Sequence, residues 1–137
     1  MNKKAFTLLE LLIVLLLIGI GLMSVTPRML ENIVEPNRTV KFFNDLLNDM
    51  YEEAMKQKQP VFITGFKGSS SFLLPDGSYR EIPENNINVK TEINEIRQLG
   101  NRFYIYIYPQ GLCDYFIIEL SNGKYVESIP LIMRVNI

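Results

Sequence analysis

KKAFTLLELLIVLLLIGIGLMSV, residues 3–25, is the stretch that decides how the rest of the chain is organised. Two lysines precede an almost unbroken apolar run, in which Thr7, Glu10 and Ser24 are the only polar side chains from residue 6 onward. About twenty residues at about 1.5 Å each make about 30 Å of helix, the thickness of a bilayer core. We therefore predict that residues 6–26 span a membrane, with the short basic N-terminus on the cytoplasmic side.

Two ordinary membrane segments explain this stretch incompletely. A secretory signal peptide has a shorter apolar region and ends in a small-residue cleavage site, which Ser24-Val25-Thr26-Pro27 does not provide. A plain signal anchor accounts for the length and for the flanking lysines. It accounts for Glu10 only if that carboxylate snorkels to the headgroups, because a charge inside the bilayer is costly.

Residues 4–10, KAFTLLE, resemble the processing site of type IV pilins and of the pseudopilins of type II secretion. The resemblance implies that a prepilin peptidase removes residues 1–5 by cutting between Ala5 and Phe6. It also implies that the new amine of Phe6 is N-methylated and that the apolar helix is retained. Glu10 of one subunit would then pair with the cationic amine of Phe6 on its neighbour. Such a pair sets the register of assembly, because either charge left alone in apolar surroundings is unfavourable.

Gly19, Gly21 and Pro27 lie where the helix of this family often carries glycine and proline. Glycine weakens a helix by about 1 kcal/mol relative to alanine, and proline removes a hydrogen bond. The resemblance implies a helix that loosens at these positions when it leaves the bilayer and packs into a filament. Close packing of transmembrane helices at small residues is the alternative, and both interpretations stay open.

Composition excludes several classes of function. The 137 residues carry 14 basic and 15 acidic side chains, a net charge of −1, so we expect no nucleic-acid partner. The absence of histidine from the sequence excludes His-based zinc sites and Ser-His or Cys-His nucleophile pairs. Cys113 is the single cysteine and is predicted to be a small packing residue. We expect a protein that is not an enzyme and that needs no cofactor or metal.

The chain beyond residue 26 predicts one helix followed by strands. A helical part over residues 27–58 is indicated, with a break near residues 35–37 caused by Pro36 and a restart capped by Asn37. Its core face is an apolar stripe at spacings of three and four, made by Val40, Phe43, Leu47, Met50 and Ala54. Residues 60–137 then alternate with period two between turn signals, which is typical of antiparallel strands.

The predicted fold class is therefore α+β: a long N-terminal helix, membrane-spanning in its first half, packed on a small antiparallel sheet or sandwich. Residues 102–108, RFYIYIY, are the clearest strand. Other strands are expected at residues 61–66, 71–74, 79–82, 87–90, 114–120, 124–129 and 131–137. Residues 91–102 are not assigned.

Alternation in residues 102–108 places Phe103, Ile105 and Ile107 on one face and Tyr104, Tyr106 and Tyr108 on the other. Tyrosine is enriched at interfaces, so this row is a candidate interaction surface. The alternative is that the three rings pack under a loop or helix with only their hydroxyls at the rim.

Few carboxylates are placed as metal ligands would be. Asp76 and Asp114 are candidate calcium ligands, but Asp76-Gly77 is a stronger turn signal and no run of spaced oxygen ligands accompanies it. Glu119 and Glu127 flank a predicted hairpin turn and either face each other or lie on a solvated surface.

Helix first and short strands afterwards is also the order in pilin-like proteins, and residues 103–126 resemble the GspH/FimT-like branch. The resemblance implies a minor pseudopilin of a type II secretion system, held in the inner membrane with its C-terminal domain in the periplasm. Its partners would be other pseudopilin subunits, the prepilin peptidase and the inner-membrane assembly platform. A minor pilin of a type IV pilus or of a competence (DNA-uptake) system is the alternative. A monomeric signal-anchored binding domain is the second alternative.

Overall fold

The computed structural model describes residues 8–18 and 37–137. The chain divides into two units, residues 1–36 and residues 37–137. In the first unit, residues 8–18 form a helix, α1. Within the described residues, no helix combines the length and the apolar character needed to cross a membrane. Residues 35 and 36 of the predicted break, and residues 6, 7 and 19–36 of the predicted single long helix, lie outside the described residues.

The second unit opens with helix α2, Arg38–Gln57. The Asn37 side chain accepts a hydrogen bond from the Thr39 backbone N–H at 3.1 Å, which confirms the predicted cap. Beyond Gln57 the chain turns out of the helix at Lys58, whose φ is 53°. The predicted stripe is confirmed, because four of its members are buried and Val40 is half-buried; the buried ones are Phe43, Leu47, Met50 and Ala54.

Ten strands and a short 3-10 helix follow, and every paired strand is antiparallel. The strands are β1 Val61–Phe66, β2 Ser71–Leu73, β3 Tyr79–Glu81, β4 Asn88–Ile93, β5 Ile96–Arg97, β6 Arg102–Tyr108, β7 Leu112–Cys113, β8 Phe116–Leu120, β9 Tyr125–Ile129 and β10 Arg134–Asn136, with the 3-10 helix at Pro83–Asn85. A first sheet has the order β3-β2-β1-β6-β7 and a second sheet the order β10-β9-β8-β4-β5. The domain is thus α+β, as predicted, with two antiparallel sheets.

The strand predictions are wrong at three places. The strand expected at residues 87–90 starts at Asn88 and runs to Ile93, and it turns back into β5 within the unassigned residues 91–102. The turn uses Asn94 and Glu95, both with positive φ (51° and 67°), as a tight hairpin requires, but it lacks the glycine that marks such turns in a sequence. The strands expected at residues 114–120 and 131–137 shorten to β8 and β10.

One core joins α2 to both sheets. The Phe43 ring lies 5.6 Å from Phe72 in the first sheet and 6.3 Å from Phe116 in the second, centroid to centroid. Asn44 accepts a hydrogen bond from the Val135 backbone N–H at 2.9 Å, so α2 also satisfies a donor of the edge strand β10. The core cluster of the described residues lies entirely within residues 37–137. The outward faces of the two sheets point away from this core.

Candidate functional site

Helix α1 exposes an apolar surface all around its axis. Ten of its eleven residues are large aliphatic side chains, each about half exposed or more, and Glu10 is the one exception. An all-round apolar helix is stable only in lipid or among other helices. Glu10 is therefore a carboxylate within a surface suited to apolar surroundings.

The remaining predicted site residues of the N-terminal segment lie outside the described residues. These are Ala5, Phe6, Gly19, Gly21 and Pro27. The cleavage site, the N-methylation of Phe6, the pairing of Phe6 with Glu10 and the weakening of the helix stay predictions.

The tyrosine row of β6 lies on the outward face of the first sheet, as its alternation predicts. Tyr104 and Tyr106 are 45% and 40% exposed, so they are not covered by a loop or helix of the described residues. Tyr108 differs, because it is half-buried and its hydroxyl lies 3.5 Å from Asp114 Oδ1. Burial and the nearby Asp114 carboxylate raise the pKa of Tyr108.

Phe62 completes this row and was not singled out by the sequence. It lies directly opposite Tyr106 in the β1–β6 register, and its ring lies 5.5 Å from Tyr106 and 5.6 Å from Tyr104. The signal was present in residues 61–66, where inward Val61 and Ile63 leave Phe62 pointing outward.

The same surface continues across the first sheet. Thr64 pairs with both Tyr104 and Leu73, and Leu73 pairs with Tyr79, which is 62% exposed. We call the set Phe62, Leu73, Tyr79, Tyr104 and Tyr106 the aromatic face. At one end the Arg102 guanidinium lies 5.7 Å from the centre of the Phe66 ring, a cation–π contact.

The outward face of the second sheet has a different chemistry. We call it the carboxylate face and define it by Lys90, Glu92, Ile117, Glu119, Tyr125 and Glu127. Lys90 Nζ lies 3.0 Å from Glu92 Oε1.

Of the two alternatives for Glu119 and Glu127, the one in which they face each other is wrong. Glu119 lies opposite Tyr125, and Glu127 lies opposite Ile117, so the register differs by two residues from one that would pair the two glutamates. Glu127 instead accepts a hydrogen bond from the Tyr115 hydroxyl at 2.5 Å, which raises the pKa of Tyr115.

The two candidate calcium ligands have structural hydrogen bonds. Asp114 is buried and accepts from the Tyr106 backbone N–H at 3.0 Å and from Asn94 Nδ2 at 3.2 Å, so it ties the first sheet to the β4–β5 turn of the second. Asp76 accepts from Ser78 N–H and Oγ–H at 2.8 and 2.6 Å, which lowers the pKa of Asp76 and holds the predicted turn. The described ranges, 8–18 and 37–137, contain no group of three potential metal-ligating side chains.

Cys113 is buried in the core, as its predicted packing role requires. Burial, and to a smaller extent the neighbouring Asp114 carboxylate, raises the pKa of the Cys113 thiol to about 11. A thiol in this state is a weak nucleophile at neutral pH.

The family model for the prokaryotic N-terminal methylation motif matches residues 1–26. The match confirms the prepilin-type interpretation of this segment. It indicates a type IV pilin-like or pseudopilin protein that is processed by a prepilin peptidase, assembles with other pilin-type subunits and is anchored in an envelope membrane. No curated protein and no solved structure matches the chain. The sequence and the structure together therefore describe a prepilin-type N-terminal segment followed by an α+β domain with two antiparallel sheets.

Proposed function

We propose that this chain is a minor pseudopilin of a type II secretion system, a structural subunit of the periplasmic pseudopilus that drives protein export. It acts by assembling and not by catalysis. The observation that carries the proposal is the methylation motif of residues 1–26, which contains the exposed apolar helix α1 with Glu10 in its first turn. That combination supports a helix that resides in the membrane before assembly and packs among like helices in the filament.

Cleavage between Ala5 and Phe6 is the step that makes the subunit competent for assembly. It removes the two lysines and leaves residues 6–26 as a single inner-membrane span with the C-terminal domain in the periplasm. It also creates an N-methylated amine on Phe6, which is cationic at neutral pH.

Glu10 lies four residues after Phe6, about one helical turn. In a stack of parallel helices its carboxylate reaches the Phe6 amine of the neighbouring copy. The pairing selects one axial register, because any other register leaves both charges in apolar surroundings at about 2–3 kcal/mol each. Gly19, Gly21 and Pro27 let the helix adjust as it leaves the bilayer.

The domain of residues 37–137 follows this helix and presents the aromatic and carboxylate faces to other subunits. Filament growth on the inner-membrane platform moves exported proteins, and the domain provides contacts. A minor pilin of a type IV pilus or of a competence system would use the same N-terminal chemistry. Deletion of the gene separates these systems. If the chain belongs to a type II secretion system, the deletion strain loses protein export but keeps its pili and DNA uptake.

Mass spectrometry of the N-terminus of membrane-extracted protein tests the proposal. We expect a mature chain that begins with N-methylated Phe6. A chain that still begins with Met1 would contradict the proposal and favour a monomeric signal-anchored domain.

Glu10→Ala tests the register mechanism. We expect normal cleavage but more than about tenfold less of the chain in isolated filaments, because the lost pairing is equivalent to about 2–3 kcal/mol. Leu11→Ala, at the next position on the same exposed helix, is the matched control and should assemble normally. Equal filament yields for the two variants would refute the role of Glu10.

A further inference from the structure

We propose that the tip of the β9–β10 hairpin, residues 130–133, docks onto a lipid surface by inserting Leu131 and Ile132 among the acyl chains. The inference goes beyond the proposed function, because assembly through the N-terminal helix needs no lipid contact from the domain. It rests on the proposed function in one respect, the anchoring of the chain in a membrane. The contact belongs to the subunit that is held in the membrane before assembly.

The hairpin tip exposes two large aliphatic side chains to water. Leu131 is 82% exposed and Ile132 is 60% exposed. At the base of the tip, Ile129 is 42% exposed and lies opposite Arg134 in the last pair of the β9–β10 ladder. Aliphatic side chains gathered at one projecting turn are unfavourable in water and mark a contact site.

The fold holds the hairpin tip in one conformation. Met133 has a φ of 48°, a left-handed conformation that is uncommon for residues other than glycine, and its side chain packs against the core. Two residues farther on, the Val135 N–H donates to the Asn44 side chain of α2. Because Met133 packs inward, Leu131 and Ile132 are left to project from the hairpin.

The backbone of the tip meets the main requirement for entering lipid, which is that its polar groups are paired within the protein. The Ile132 N–H donates to the Ile129 carbonyl at 3.2 Å, and the Met133 N–H donates to the Pro130 carbonyl at 3.4 Å. Pro130 itself has no N–H. Most of the tip therefore enters an apolar region without exposing an unpaired donor.

The charges near the tip are placed so that it can insert. Arg134 is the one charged residue from Ser128 to Ile137 and lies at the base of the tip, at the level of the lipid phosphates. Glu127 is paired with Asn136, two positions farther from the tip than Arg134. Glu95 lies at the same end of the sheet but beyond β8, in a turn of two residues, whereas the tip has four and projects farther.

The composition of the tip favours lipid over a protein partner. Leucine and isoleucine are among the side chains that enter hydrocarbon most favourably. The residues that dominate protein interfaces are instead tyrosine, tryptophan and arginine, with leucine under-represented. Residues 130–133, PLIM, contain no aromatic ring.

Two aliphatic side chains bind lipid weakly by themselves, and the membrane anchor compensates for this. The methylation motif of residues 1–26 indicates such an anchor. Residues 27–36 separate the motif from the domain, and at no more than about 3.6 Å per residue they keep the domain within about 36 Å of it. The short connection gives lipid a high effective concentration at the domain, so a weak contact suffices.

A fluorescent label on the full chain tests this docking. Leu131→Cys is labelled with the environment-sensitive dye NBD and reconstituted in vesicles of phosphatidylcholine and phosphatidylglycerol; native Cys113 is buried. We expect emission shifted to the blue and quenched about twofold or more by lipids that carry a nitroxide on the acyl chain. Ile132→Asp in the same labelled chain should abolish the quenching, because a carboxylate at the tip opposes insertion.

Leu99→Cys is the matched control. Leu99 is the same residue type and is 81% exposed, but it follows β5, which runs away from the tip end of the sheet. Its dye should emit as in water and should not be quenched by the acyl-chain nitroxide.

Two results would overturn the inference. A dye at residue 131 that emits as in water, in a chain whose mature N-terminus is Phe6, would reject lipid docking and leave the proposed function standing. Blue-shifted emission that the acyl-chain nitroxide does not quench would show that protein covers the tip. Quenching in a chain that still begins with Met1 would support the docking and contradict the proposed function.

Discussion

The first and second sheets share one interior and differ on their outward faces. Inside, both present phenylalanines to the same helix residue, Phe43, through Phe72 and Phe116. Outside, the first sheet carries the ring cluster of Phe62, Tyr104 and Tyr106, with Glu81 at its β3 edge, whereas the second carries three glutamates around Ile117 and Tyr125. Packing constrains the inward residues by volume and leaves the outward residues free to serve recognition. This difference supports the proposal that the domain meets other subunits through its outward faces.

Breaking the shared interior should have the largest effect. Phe103→Ala and Phe116→Ala, which truncate rings that are 1% and 0% exposed, should each lower the free energy of unfolding by about 3–5 kcal/mol. Tyr104→Ala, next to Phe103 but on the outward face, should lose only about 1 kcal/mol. Urea unfolding of residues 37–137, which hold the whole described core, measures all three. Equal losses for Phe103→Ala and Tyr104→Ala would show that the two faces of β6 are not different in packing.

Gly65→Ala tests how tightly the inward face of the first sheet is filled. An added Cβ would lie 2.1 Å from Phe103 Cζ, so the ring must move, and we expect a loss of about 1–3 kcal/mol. Phe103→Leu removes the ring atoms in the way, and the double variant should lose less than the sum of the two singles. Gly100→Ala is the control, because its Cβ would meet nothing nearer than 3.6 Å. If the double variant loses as much stability as Gly65→Ala and Phe103→Leu added together, the proposed clash between the new Cβ and the Phe103 ring is refuted.

Asp114→Ala tests the tie between the two sheets. It leaves the Tyr106 N–H and the Asn94 amide without their acceptor, and we expect a loss of about 1–3 kcal/mol in the free energy of unfolding. Asp76→Ala is the control, because the Asp76 carboxylate accepts hydrogen bonds from Ser78 within an exposed turn. It should leave the urea unfolding transition nearly unchanged. Similar transitions for the two variants would indicate that Asp114 does not join the sheets.

The last expected effect is a loss of stability that is confined to alkali and absent at neutral pH. Burial raises the pKa of Cys113 from 9.0 to about 11 in the folded chain. A raised folded-state pKa means that this stabilising contribution is complete below pH 9 and is lost as pH rises toward 11. In Cys113→Ala the free energy of unfolding should decline less steeply between pH 9 and pH 11. The decline that remains reflects the ionisation of Tyr108 and Tyr115, whose pKa values are also raised. If the free energy of unfolding depends on pH in the same way with and without the Cys113→Ala substitution, Cys113 does not cause the loss of stability in alkali.

Local sequence signals predicted the elements whose pattern is strong. The helix stripe, the Asn37 cap and the strands at Val61–Phe66 and Arg102–Tyr108 follow from periodicity and capping chemistry. The β4–β5 hairpin was not predicted, because its turn residues Asn94 and Glu95 adopt positive φ without glycine. The Asn94 side chain donates to distant Asp114 and accepts from the Tyr115 backbone N–H.

By itself the sequence determined the prepilin-type N-terminus, the α+β class and the alternation that separates the two faces of β6. These properties depend on neighbouring residues and on covalent spacing, which a linear chain displays directly. Only the tertiary structure decided that Phe62 joins the tyrosines, that Glu119 faces Tyr125 and that the two sheets share one core. Those relations join residues far apart in the chain, and their register is set by how the hydrophobic faces close around α2.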